Sequence, residues 1–254
     1  MVPSETILTE TKPQEYVVPP SPDISHIAIE DDQPVDSLYS EKLQRLLTTA
    51  LYASFHPGVP FLATANVGLF YGVHLPPLVP DVMVSLDVTP PATFDRKENR
   101  TYFVWEMGKP PDVVIEIVSN RKGQELDRKL RDYARAGVSY YVVYDPLRQL
   151  RELEDRVLVI FEREGIVFRP YNATWIPAVG LGLTLWRGVY EGVEVEWLRW
   201  CDQAGNLLLT GQERAELERQ RAEAAQERAE LERQRAESYL QLLRQHGITP
   251  PDSP

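Results

Sequence analysis

The sequence predicts a mixed α/β (α+β) domain, a central mixed sheet flanked by helices, with a long charged helix behind it. Three observations carry this. A helix-periodic apolar stripe fills residues 38–55, strand-like runs surround the apolar segment DVVIEIVS, and a repeat of helix-forming residues occupies residues 212–238. An apolar stripe and apolar strands must bury against each other, and the order helix, strands, helix, strands gives a mixed sheet.

The chain has 254 residues, 43% of them hydrophobic, an ordinary value for a globular protein. That length supports one domain with appendages. Its single cysteine, Cys201, excludes an internal disulfide framework and a multi-cysteine zinc site. No apolar run reaches the ~18 residues of a membrane-spanning helix. The N-terminus lacks a basic stretch followed by an apolar one, so a soluble, cytoplasmic protein is expected. The net charge of −11 argues against a large basic nucleic-acid surface.

Residues 1–36 carry eight acids against one lysine and many prolines. They show no sustained period and cannot bury enough apolar surface to offset chain entropy, so an acidic, disordered arm is expected, with one short strand at His26–Ile29. The domain proper is expected over residues 37–205. The first helix buries Leu38, Leu43, Leu46, Leu47, Leu51 and Phe55, with Asp36 or Ser37 as its N-cap. Strand-like segments follow: FLATANVGLFYGV, LVPDVMVSLDV and the central run DVVIEIVS. QELDRKLRDYARAG reads as a helix closed by Gly137, and VSYYVVYDP, RVLVIFERE, IVFRPY, GLTLW and VEVEWLRW as further strands.

Residues 206–246 are expected to form a charged helix or coiled coil. QERAELERQRAEAA is followed by QERAELERQRAES, a period of two heptads laced with Arg–Glu pairs at i,i+3 and i,i+4. The Ala215 and Leu217 columns lie about 200° apart, on opposite faces, so they do not form one seam. A solvated helix and a weak oligomerising coil both remain open. Gly247, Pro250 and Pro251 stop the helix, leaving residues 247–254 as a disordered tail.

Within the domain, Asp81 follows Pro80 at the head of one strand, and Glu116 sits among Val114, Ile115, Ile117 and Val118. A carboxylate in a buried strand is costly unless it is paired, neutralised or bound to a cation. Two such acids on neighbouring strands can share a hard divalent ion, and Mg²⁺ takes one or two carboxylates, a carbonyl and retained waters. Lys129, on the following helix, can point back to the same strand end. A metal that acidifies its water and a lysine that holds that water make the equipment of phosphodiester hydrolysis. From the residues alone a satisfied structural acid remains the alternative. His26, His56, His74 and His246 show no metal-ligand spacing. Asp127 reads as a helix-N-terminal charge, Asp87 and Asp112 as solvated, and Tyr133 as helix core.

The segment PPDVVIEIVSNRKGQELDRKLRDYARAGVSYYVVYDP resembles the core of the Uma-type family, described as restriction endonucleases of the PD-(D/E)XK nuclease superfamily. The match rests on Pro80-Asp81, Glu116-Ile117-Val118-Ser119, Asp127, Lys129 and Tyr133, Gly137-Val138, Tyr140-Tyr141 and Asp145-Pro146, in that order. The resemblance implies a restriction-endonuclease-like fold and a metal-dependent enzyme cutting DNA. Asp81, Glu116 and the Ile117 carbonyl would hold Mg²⁺ or Mn²⁺, and Lys129 would be the catalytic lysine. The superfamily's simplest pattern puts that lysine two residues after the acid, where this chain has Val118, so Lys129, or else Lys122, must reach the site. Glu41 on the first helix is a further candidate carboxylate. The resemblance also implies a homodimer, for which the C-terminal helix is the candidate element. Two rivals stand beside this reading: a catalytically inactive binding or assembly module of the same fold, and a nuclease of branched, single-stranded or RNA substrates.

Overall fold

The computed structural model describes residues 37–119 and 125–247. The acidic arm, the strand expected at His26–Ile29, Lys122 and the tail from residue 248 lie outside the described residues.

Helix α1 (Leu38–Ser54) starts at Ser37, whose hydroxyl accepts from the Ser40 amide at 3.1 Å. Its buried stripe is Leu43, Leu46, Leu47, Ala50 and Leu51, the spacing that one face of a 3.6-residue helix requires. Leu38 departs from the expected stripe: it lies in the first turn and is 84% exposed.

The main sheet has six strands in the order β1-β3-β5-β6-β7-β8. These are β1 (Phe61–Ala65), β3 (Val82–Leu86), β5 (Val113–Ile117), β6 (Tyr140–Tyr144), β7 (Leu158–Glu164) and β8 (Val167–Tyr171). Within this sheet, among the described residues, only β5 and β6 run parallel, joined across helix α3 (Arg128–Ala136). β5 and β6 are buried at every position, as their unbroken apolar runs demand. Helix α3 is shorter than expected, with residues 125–127 forming a turn before it. Gly137 ends α3 at φ 87°, and a Cβ there would meet Pro110 at 2.8 Å, so a side chain fails on both counts.

Two cores form on the two faces. On one, Val113, Ile115 and Ile117 pack with α1 and with Trp197, Leu198 and Trp200. On the other, Val114 and Val118 pack with Tyr133 and Ala134 of α3, and with Leu69 and Tyr102 from the short parallel pair β2 (Leu69–Phe70) and β4 (Tyr102–Phe103). One turn of helix, α2 (Val104–Met107), follows β4.

The last strands, β9 (Trp175–Ile176), β10 (Leu181–Tyr190) and β11 (Val193–Cys201), do not join the main sheet. They form their own antiparallel sheet against α1. Tyr39 of α1 stacks on Trp197 at 5.2 Å, and the Trp200 indole donates to the Leu47 carbonyl at 3.1 Å. Helix α4 (Gly211–Gln245) then leaves the domain. No helix among the described residues is long and apolar enough to cross a membrane.

Candidate active site

β3 and β5 pair antiparallel with Val82 opposite Ile115. Asp81 directly precedes β3, and Glu116 follows Ile115, the last residue of β5 paired with β3. Glu116 is on the face covered by α3, where it meets Lys129 and Tyr133, while Asp81 at the strand head reaches Gln44 of α1 and the Ile117 amide next to Glu116. The strand pairing thus brings together two acids that lie far apart in the sequence.

Asp81 is tied down on both oxygens. Oδ2 accepts the Ile117 amide at 2.6 Å and Oδ1 accepts the Gln44 side-chain amide at 3.2 Å. Gln44 is 4% exposed, a buried polar residue within the apolar stripe of α1. Its carbonyl accepts in turn from Asn66 at 2.9 Å, and Asn66, at φ 53°, also sends its backbone N–H to the carbonyls of Pro80 and Asp81. This chain of amides fixes the Pro80-Asp81 corner.

Glu116 is 2% exposed. Its Oε2 accepts from Lys129 Nζ at 2.9 Å and its Oε1 from the Tyr133 hydroxyl. Lys129 Nζ also lies 3.3 Å from Oε1 of Glu125, itself 3% exposed. Glu125, Lys129 and Tyr133 are spaced four apart, so they share one side of α3 and the turn before it. The Tyr141 hydroxyl fixes this turn by donating to the Glu125 carbonyl at 3.0 Å.

Burial raises the Glu116 carboxyl above the ordinary carboxylate range, and the nearby ammonium and the Tyr133 hydroxyl offset this only in part. Burial also works against the charged form of Lys129, but the charges of Glu116, Glu125 and Asp81 outweigh it and hold the ammonium above its usual range. Tyr133 is pushed well up by burial and by the Glu116 charge, so its hydroxyl keeps its proton and serves as a donor.

Other expectations come out differently. Asp127 does stand at the N-terminus of α3, as expected of a helix-N-terminal charge, but it pairs with Arg131 at 2.8 Å and makes no side-chain cap bond, the turn at residues 125–127 giving the inward position to Glu125. Glu41 is exposed and clasped by Arg45 at 2.9 Å, away from Asp81, and α1 supplies Gln44 instead. Asp112 is held between the Leu86 amide and Lys109, each at 2.7 Å, rather than solvated.

No three His, Cys, Asp or Glu side chains among the described residues form a ready metal cage. The donor set is still the right kind for a hard divalent ion. Asp81 and Glu116 are oxygen donors on paired strands, and Mg²⁺ keeps several waters rather than demanding a full protein cage. Glu125 Oε2 is buried with no hydrogen-bond partner among the described residues. Three carboxylates lie close enough to act on one ammonium here, and clustered oxygen donors are what a hard divalent cation takes. The residues therefore fit Mg²⁺ or Mn²⁺.

A family model, Uma2, described as "Putative restriction endonuclease", matches residues 28–185, more than half of the chain. The chain belongs to the Uma2 family. A solved structure, titled "Crystal structure of a putative nuclease belonging to DUF820" from Anabaena variabilis ATCC 29413, is 18% identical. The match covers 57% of this Uma2 chain and 76% of that one with a TM-score of 0.38, too distant a likeness to transfer any residue. No curated protein matches. Membership assigns this Uma2 chain to a nuclease class without assigning any residue a role.

Proposed function

We propose that this chain is a divalent-metal-dependent endonuclease that hydrolyses DNA phosphodiester bonds. The observation that carries the proposal is the buried Glu116, held 2.9 Å from Lys129, with Asp81 bound to the amide of the next residue, Ile117, at 2.6 Å. Asp81, Glu116 and the Ile117 carbonyl would hold Mg²⁺ or Mn²⁺, which supplies a Lewis acid and an acidified water when bound.

The chain's own residues then do three things. Tyr133 and Lys129 fix both oxygens of Glu116, and Gln44 and the Ile117 amide fix those of Asp81, so the two carboxylates are set before substrate arrives. Lys129 stays protonated at neutral pH and offers N–H donors to the attacking water and to the charge that develops on the phosphoryl oxygens. Glu125 gives the ammonium a second carboxylate partner that holds it beside Glu116. Cutting both strands of a duplex requires two such sites, hence a homodimer.

The test is cleavage of supercoiled, linear and single-stranded DNA by the purified chain with Mg²⁺ or Mn²⁺. Wild type is expected to cut, and Lys129→Ala to lose at least about a hundredfold in rate, the size of effect that follows removal of one preorganised donor. Absence of cleavage of every DNA form by wild type overturns the proposal, and so does a Lys129→Ala variant that cuts at the wild-type rate.

A further inference from the structure

Helix α4 is about 52 Å long at 1.5 Å per residue, and none of its 35 residues is buried. Its root, by contrast, is fixed. Thr210 and Glu213 close a capping box, and Glu213 takes two hydrogen bonds at 2.8 Å from the buried Arg199, whose guanidinium lies 5.0 Å over the Trp186 ring. Arg214 adds a hydrogen bond to the Ala53 carbonyl of α1. A rigidly rooted helix with no covered face calls for a partner, and its charges specify which one.

With Leu217 at heptad position a, the same column holds Ala224, Leu231 and Ser238, and Leu217 and Leu231 are 37% and 48% exposed. Position e is then Arg221, Arg228 and Arg235, and position g is Glu216, Glu223 and Glu230. In a parallel two-stranded coil each g residue meets the e residue five places further along on its neighbour. Three of the four such meetings within α4 are Glu with Arg, at 216–221, 223–228 and 230–235, and the last sets Glu237 against Leu242. In an antiparallel pair g meets g and e meets e, so Glu would face Glu and Arg would face Arg. Within one helix the glutamates lean on Arg219 and Arg233, at 2.7 to 3.8 Å. Arg221, Arg228 and Arg235 make no ion pair among the described residues.

We propose that α4 pairs with α4 of a second copy of this chain as a parallel, in-register coiled coil. The inference stands on the helix itself and does not depend on the nuclease reading. Position d is polar, with Gln220, Glu227, Gln234 and Gln241. The pairing is therefore weak, led by the flanking charges, and released by salt. Parallel pairing roots both helices at the same end of the coil and sets the two domains beside each other.

The test uses the full chain in sedimentation velocity. Wild type is expected to dimerise at low salt and to dissociate at about 0.5 M salt, where the Debye length falls to a few ångströms. The variant carrying Arg221→Glu, Arg228→Glu and Arg235→Glu is expected to self-associate about thirtyfold more weakly or not at all, as is the variant with Glu216→Arg, Glu223→Arg and Glu230→Arg. Mixed together, the two are expected to form a heterodimer. Ser238→Cys, at position a, is expected to give a disulfide-linked dimer on oxidation, without interference from the buried Cys201. A wild type that stays monomeric at low salt overturns the proposal. So do a triple variant that associates as tightly as wild type and a Ser238→Cys chain that does not cross-link.

Discussion

Glu116→Gln is expected to cost at least about a hundredfold in phosphodiester cleavage while the variant gains stability relative to wild type as pH rises. Glutamine keeps the shape and an acceptor for Tyr133, so the fold persists, but it removes the negative charge that a metal and Lys129 share. The pH effect follows from burial. Glu116 has a folded-state pKa above its ordinary value. Its favourable contribution is complete while it is protonated, and it is lost as pH rises through the raised value. Lys129, held above its usual range, stays protonated throughout, so the carboxyl is the member of the pair that titrates. The difference in Tm, variant minus wild type, should therefore grow as pH rises above the ordinary glutamate value and through the raised one. A difference that shrinks over that range would show that attraction to Lys129, not burial, governs Glu116.

Trp200→Ala is expected to have the largest effect on stability. The indole is fully buried between α1 and β11, and its N–H is the donor to the Leu47 carbonyl. Removing a buried Trp costs about 3–5 kcal/mol, and the unpaired carbonyl adds to it. For a chain of this size each kcal/mol lowers Tm by about 2–4 °C, so a fall of roughly 6–20 °C is expected in a thermal melt. The control is Trp105→Ala, half-exposed in the helical turn after β4, for which a loss of about 1 kcal/mol or less is expected. Equal losses from the two substitutions would show that the second sheet is not a structural support of α1.

The elements were legible wherever local chemistry fixes them. Ser37 caps α1, the run from Val113 to Ile117 is a fully buried strand, and Gly137 ends α3, each for reasons carried by a few adjacent residues. The cost of placing Glu116 in an apolar strand was equally visible. What was not legible depended on partners distant in the sequence. The strand pattern at residues 181–201 shows strands but not which sheet they join, and they form a separate one over α1. Glu125 was hidden because the helix was expected to begin before it. Once the chain turns at residues 125–127, Glu125 faces Lys129 and Asp127 faces water. The spacing of four between Glu125, Lys129 and Tyr133 was the available signal. Gln44 was hidden within a leucine stripe, where a lone polar residue reads as solvated until Asp81 is brought against it.

The central claim is that Asp81 and Glu116 form one metal site, and calorimetric titration of Mg²⁺ or Mn²⁺ tests it most directly. It is made on wild type, Asp81→Ala and Glu116→Ala, with circular dichroism confirming that each variant is folded. The account predicts millimolar or tighter binding to wild type and its loss in both variants. Binding that is absent from wild type, or that survives both substitutions, would contradict it and leave the two acids as structural residues.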